Sequence, residues 1–253
     1  MSTIGIIGGT GIEQLPGLSV VREHAAETLF GAPSGPVQEG LLGGQSLYFL
    51  HRHGGPRSIP PHRINYRANI SLLHRLGVSR VVAINAVGGI SPDMQPGRLL
   101  IPDQLIDYTW GREHSFDDGS SGSLQHIDFT EPYDRELRLA LVEAAERAGI
   151  AHEPCGTHGV TQGPRLETAA EVRRLARDGC DVVGMTGMPE AALARELGMA
   201  YACVCMVVNP AAGLGDLPLT LDMMRHILER EAGVVRTLLQ TLLSNLSAPA
   251  AEG

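Results

Sequence analysis

Residues 181–212, DVVGMTGMPEAALARELGMAYACVCMVVNPAA, constrain the fold more than any other stretch. They predict a strand over 181–185, a Thr-Gly turn, a helix from Pro189 to Leu197, and a second strand over 200–208 that stops at Asn209-Pro210. Pro189 suits the first helical turn, where its missing N–H is no loss, and Gly198 suits the stop just past the C-terminus. The run AYACVCMVV lacks polar alternation, as expected of a strand covered on both faces. Two neighbouring strand ends then present Met185-Thr186 and Asn209, at the kind of edge where open α/β sheets hold ligands.

A chain of 253 residues that is 43% apolar can bury the core of one α/β domain. Its formal net charge of -8 argues against a nucleic-acid backbone or an anionic membrane as partner. A small anion is not excluded, because a local nest of backbone N–H groups overrides the global sign. The four cysteines form no CxxC pair, and Cys203 and Cys205, two apart on the predicted strand, face the same side as core filling. With no long apolar span, the expectation is a cytoplasmic protein with no metal centre.

Residues 3–14, TIGIIGGTGIEQ, read as a strand entering a glycine-rich turn where N–H groups converge and Thr10 adds a hydroxyl. The dinucleotide fingerprint is not completed, since Gln14 stands where a third glycine is needed and Pro16-Gly17 would end a helix early. A strand over 46–50 ends at His51-Arg52-His53, a guanidinium fork beside an imidazole, which suits an oxyanion. A helix is expected over 65–76. A strand over 80–84 then runs into Asn85-Ala86-Val87-Gly88-Gly89, read as a second glycine turn. Two turns and one Arg-His pair give three sets of donors, a number suited to phosphate.

Further on, residues 104–109 predict a strand, 110–132 a long polar loop containing His126, and 134–148 an amphipathic helix. In GTHGVTQGPRLETAAE, Thr168 and Glu171 have capping-box spacing, which sets Glu167 at a strand end just ahead of a helix. The last helix is expected over 220–245, with Thr220 as N-cap and with Leu221 and Met224 near its start lining an apolar pocket. Residues 246–253 are expected to be a disordered tail after a single domain over 1–245.

GIIGGTG, HRHG, NYRANI, NAVGG, DQLIDYT, GPRLETAAE and DVVGMTGMPEAALARELGMAYACV, in this order, resemble the trimeric purine nucleoside phosphorylase and methylthioadenosine phosphorylase family. The resemblance implies one α/β domain around a mixed sheet, a homotrimer, and phosphorolysis of a purine nucleoside with inorganic phosphate as co-substrate and no cofactor. It implies that Thr10, Arg52, His53, Asn85, Ala86 and Thr186 hold phosphate, partly through backbone N–H groups. Met185 would meet the ribose, Leu166 would flank the purine, and His126 would reach a neighbouring subunit's nucleoside.

The base pocket departs from the methylthioadenosine members, which resemble one another in carrying two aspartates where this chain has Asn209, Pro210 and Ala211. Glu167 replaces their small hydroxyl residue, and Glu with Asn is the pair implied for 6-oxopurine enzymes. An ionised carboxylate only accepts, so Glu167 suits the N1–H of a keto purine and opposes the N1 lone pair of adenine. Asn209 would donate to O6 or N7, making Glu167 and Asn209 the expected catalytic pair. Met224, with Leu221, aligns where ordinary purine nucleoside phosphorylases place a histidine for the 5′-hydroxyl. An apolar wall there suits a 5′-methylthio group.

Overall fold

The computed structural model describes residues 3–55, 58–120, 126–215 and 221–247, with side chains of the last segment described from residue 227. The described elements are eleven strands in one mixed sheet and five α-helices. The chain opens with β1 (Thr3–Gly8), β2 (Ser19–His24), β3 (Val37–Leu42), β4 (Gln45–His51), α1 (Tyr66–Arg75) and β5 (Val78–Gly89). Next come β6 (Leu99–Leu100), β7 (Gln104–Asp107), α2 (Arg135–Arg147), β8 (His152–Glu153), β9 (Thr157–Val160) and α3 (Ala169–Arg177). β10 (Val182–Gly184), α4 (Glu190–Glu196), β11 (Ala200–Pro210) and α5 (Leu221–Ser247) complete it.

Strand order is β2-β3-β4-β1-β5-β10-β9-β7, and β11 pairs with β5 and β6. The central strands are covered on both faces, and their alternation assigns each side chain to one core. Ile7, Val81, Ala83, Cys203, Cys205 and Val207 pack with α1 and α4 residues such as Ile70 and Leu193. Ile6, Val82, Ile84, Val204 and Met206 pack on the other face against Leu141, Leu238 and Leu242 of α2 and α5. A two-residue period thus gives β5 and β11 two buried faces, which is why AYACVCMVV reads as unbroken hydrophobicity.

Several local expectations hold. Asn65 caps α1 by accepting from the Ala68 N–H at 3.1 Å, and Asp134 caps α2 by accepting from Leu137 N–H at 2.8 Å. Thr168 and Glu171 form the reciprocal capping box of α3. Gly198 follows α4 with φ +67, a value that glycine adopts without strain. Pro189 sits one position earlier than expected, as N-cap, its carbonyl accepting from Leu193 N–H at 2.9 Å.

Three boundaries differ in ways that matter. β5 does not end at Ile84: Asn85 to Gly89 stay in the sheet, parallel to β11 and, at Gly88 and Gly89, antiparallel to β10. The expected second glycine turn is therefore strand, because backbone partners on both sides outweigh the weak strand propensity of glycine. β11 likewise continues through Pro210, with a register irregularity between Val207 and Asn209. At the C-terminus α5 runs to Ser247, past the expected end at 245, so Leu246 and Ser247 belong to the helix rather than the tail. Thr220 and residues 248–253 lie outside the described residues.

Candidate active site

The glycine turn after β1 carries Ile12 N–H to the Gly9 carbonyl at 3.0 Å, and Gly11 has φ +85. No helix follows it, in keeping with the incomplete dinucleotide fingerprint. This turn, the ends of β5, β10 and β11, and the segment before α3 surround a cavity of about 160 Å³. Thr10, His53, Ala86, Leu166, Glu167, Met185, Thr186, Asn209 and Ala211 line it, all named from sequence. Gly88, Val183 and Val208 also line it. They escaped sequence reading because an apolar wall residue looks like any other strand residue.

Arg52 is placed differently from expectation. Its side chain is fully buried and does not line the cavity. Nε donates to Glu190 Oε2 and Nη2 to Glu190 Oε1, each at 2.8 Å, while Nη1 donates to the Ile84 carbonyl at 3.0 Å. A buried guanidinium takes the nearest buried carboxylate because an unpaired charge there is costly. Burial opposes the Arg52 charge, but Glu190 outweighs it and raises the guanidinium further above its ordinary value. Its Nη1 lies just under Gly9, where an added Cβ would come within 2.9 Å, so Arg52 supports the turn from behind. Glu190, the partner, carried no sequence signal beyond being a polar residue in an apolar helix.

His53 lines the cavity but its Nδ1 sits 2.8 Å from the Ile59 carbonyl. Burial pushes the ring's pKa down, opposed by that carbonyl. Facing a carbonyl, Nδ1 carries the proton of the neutral ring, and Nε2 is left as an acceptor. In this structure the guanidinium fork is committed to Glu190 and Ile84 and the imidazole Nδ1 to Ile59, while His53 still lines the cavity. At this end the Thr10 and Thr186 side chains and the backbone of the turn line the cavity.

Asn85 is buried behind the cavity wall. Its Oδ1 accepts from Thr186 Oγ1 at 3.1 Å and its Nδ2 donates to Cys203 Sγ at 3.0 Å, so its side chain supports Thr186 and does not itself line the cavity. Pro210 is part of β11 and is likewise off the wall, and its carbonyl accepts from Asn209 Nδ2 at 2.6 Å. His126 is exposed and does not line this cavity. The side chains of Leu221 and Met224 lie outside the described residues.

At the other end Glu167 and Asn209 line the same cavity, the one from the segment before α3 and the other from β11. Glu167 Oε1 accepts from Thr161 Oγ1 at 2.5 Å, a contact sequence reading missed because the two are six residues apart across a loop. One carboxylate oxygen is thereby held, and Oε2 keeps its lone pairs. Glu167 and Thr161 also line an adjoining cavity of about 480 Å³ with Tyr108, Trp110 and Arg174. The larger space is lined by exposed ion-paired residues such as Arg165 and Glu171. The smaller cavity is where the turn, the two threonines and the Glu-Asn pair converge, and it is the candidate site.

The polar loop over 110–132 is pinned by a further residue without a sequence signal, Arg112. Its Nη1 donates to the Met188 carbonyl at 2.5 Å and its Nη2 to the Gln162 carbonyl at 2.8 Å, with the guanidinium 5.4 Å above the Tyr66 ring. These bonds tie the loop to the segments leading into Glu167 and α4.

Residues 3–244 match the profile of the Phosphorylase superfamily. A protein of Pseudomonas syringae pv. tomato named probable S-methyl-5'-thioinosine phosphorylase is 49% identical over 244 residues, covering 96% of this chain and 99% of the relative. A Xanthomonas campestris pv. campestris protein of the same name is 52% identical over 213 residues, 84% of this chain and 85% of the relative. The 6-oxopurine nucleoside phosphorylase of Pyrococcus furiosus is 45% identical, covering 92% of this chain and 88% of the relative. Among solved structures, methylthioadenosine phosphorylase from Schistosoma mansoni, in complex with adenine, superposes with a TM-score of 0.92 at 30% identity, over 98% of this chain and 93% of that one. With a profile match over nearly its whole length and relatives this similar along most of it, the chain belongs to the phosphorylase superfamily.

Proposed function

We propose that this chain phosphorolyses S-methyl-5'-thioinosine to hypoxanthine and S-methyl-5-thioribose 1-phosphate. The observation that carries the reading is the base end of the cavity: Glu167, half-committed to Thr161, shares the wall with Asn209 and Ala211, and neither Asn209, Pro210 nor Ala211 carries a carboxylate. Glu167 accepts the N1–H of hypoxanthine, and Asn209 donates its second N–H to O6 or N7. As the glycosidic bond breaks, negative charge gathers on the purine, and these two groups stabilise the ring and its N7 proton. Phosphate, met by Thr10, Thr186 and the backbone at Ala86, with His53 on the same wall, faces the cationic C1′. Positioning and electrostatics carry the rate, with no cofactor and no metal in the reaction.

The 5′-methylthio part of the reading is supported by Met224 and Leu221 in the sequence and by the names of the Pseudomonas and Xanthomonas relatives. The Pyrococcus relative favours a second reading, a general 6-oxopurine nucleoside phosphorylase acting on inosine or guanosine. Initial rates with S-methyl-5'-thioinosine, S-methyl-5'-thioadenosine, inosine and guanosine separate the possibilities. The highest kcat/KM is expected for S-methyl-5'-thioinosine. A higher value for the adenosine counterpart would overturn the base argument, and a higher value for inosine the 5′ argument.

The working unit we take is a cytoplasmic homotrimer in which His126 of one subunit approaches the neighbour's nucleoside. The exposure of His126 and the four free cysteines support this reading. Light scattering on the purified protein is expected to give three times the chain mass of 26.9 kDa, and a monomer would sink it.

A further inference from the structure

Beneath the floor of the active-site cavity, β9 and β11 bring together three soft or borderline donors that the proposed reaction does not use. Cys203 Sγ and Cys205 Sγ are 3.6 Å apart, and Cys205 Sγ is 3.7 Å from His158 Nδ1. All three residues are fully buried, and their donor atoms lie within 4.8 Å of one another. We propose that Cys203, Cys205 and His158 form a site for one thiophilic d10 cation, monovalent copper in preference to zinc.

The spacing is that of a coordination sphere. Bonds of about 2.0–2.3 Å from one ion to nitrogen and sulfur set neighbouring donors roughly 3.6–4.0 Å apart. The donor set is two sulfurs and one imidazole with no carboxylate among the described residues, which excludes hard cations such as magnesium and calcium. Three donors leave a tetrahedral zinc one short, whereas monovalent copper accepts two thiolates and one imidazole.

The surroundings fit a ligand better than a packed histidine. His158 Nε2 is buried with no partner, and Nδ1 has only Tyr133 Oη at 3.5 Å besides the sulfur. A buried imidazole so weakly satisfied is costly unless it gains a bond. The ring is seated because Gly184 has no Cβ, which would stand 2.6 Å from Nε2. Asn85 Nδ2 donates to Cys203 Sγ at 3.0 Å, the kind of outer contact that steadies a metal-bound thiolate. Burial pushes the Cys205 thiol up, whereas contacts with Cys205 and His158 act in the opposite direction on Cys203. On binding, two S–Cu bonds and one N–Cu bond form, each cysteine that still carries its S–H proton releases it, and His158 coordinates through Nδ1 as the neutral ring with its proton on Nε2. A hydrogen-bonded chain from Thr186 on the cavity wall through Asn85 reaches Cys203, which makes the cavity floor the entry route.

The test is anaerobic titration of the reduced chain with monovalent copper held by bicinchoninate, together with metal analysis of protein produced in copper-supplemented cells. One equivalent per chain is expected, with two sulfur and one nitrogen neighbours by X-ray absorption. Cys203→Ser and Cys205→Ser should each lose the equivalent, and Cys155→Ser should keep it. His158→Gln, which retains both thiols, should weaken binding at least about tenfold while melting as a folded protein. Absence of copper by both routes, or uptake by Cys203→Ser and Cys205→Ser equal to the parent, would overturn the proposal. Stoichiometric zinc uptake in preference to copper would overturn the assignment to a three-coordinate site.

Discussion

Glu190→Ala is expected to destabilise the protein by about 3–5 kcal/mol, the cost of leaving a buried charge without its partner. Glu190 and Arg52 are both wholly shielded from solvent, joined by two 2.8 Å bonds, and Tyr201 Oη donates to Glu190 Oε1 at 2.9 Å. Truncation strands the guanidinium and an orphaned tyrosine hydroxyl among apolar neighbours. Against a typical total of about 5–15 kcal/mol, that is a third or more of the stability. The denaturation midpoint in urea reads it. The double replacement Arg52→Met with Glu190→Leu is expected to regain most of the loss, because it removes both charges together. If Glu190→Ala unfolds at the parental midpoint, the pair does not support the turn in the way its geometry implies. The placement ties this stability to the site: Arg52 N–H also donates to the Gly8 carbonyl at 2.9 Å, one residue before the phosphate turn.

The second large effect concerns base choice. Glu167→Gln is expected to lower kcat/KM for S-methyl-5'-thioinosine by roughly 30- to 700-fold, which corresponds to about 2–4 kcal/mol for a charged acceptor lost from a desolvated site. Gln supplies one acceptor and one N–H pair, and Thr161 Oγ1, at 2.5 Å from Oε1, competes for the carbonyl. The substrate N1–H then meets an amide donor. The triple replacement Glu167→Ser, Asn209→Asp and Ala211→Asp should move preference towards S-methyl-5'-thioadenosine, because the pocket then offers acceptors to an exocyclic amine. A steady-state comparison of both nucleosides reads the shift. Unchanged preference in both variants would mean that the purine is read by other groups.

Much of this geometry was legible along the chain. The capping box at Thr168, the stop at Gly198 and the apolar stripes of α2 and α5 depend on neighbours within four residues or on a fixed period. Local rules of that kind survive folding unchanged. The clustering of Thr10, Glu167, Met185, Thr186 and Asn209 around one cavity also followed from strand ends, with β1 and β11 parallel to β5 and β10 parallel to β9.

The exceptions share a cause. Asn85 to Gly89 looked like a turn and became strand because β10 and β11 supply backbone partners from about 100 residues away. Arg52 looked like a phosphate ligand and became a buried strut because Glu190, 138 positions on, reaches it first. Thr161 holding Glu167, Arg112 pinning its loop, and His158 beside Cys205 are likewise pairings that no spacing announces. The amino-acid sequence alone determined most of the elements, the edge at which the candidate site lies and the donor and acceptor types of Glu167 and Asn209 on its wall. Which polar side chains face the cavity and which are spent behind it was decided only in three dimensions, because burial makes each charge and N–H seek whatever partner the fold brings nearest.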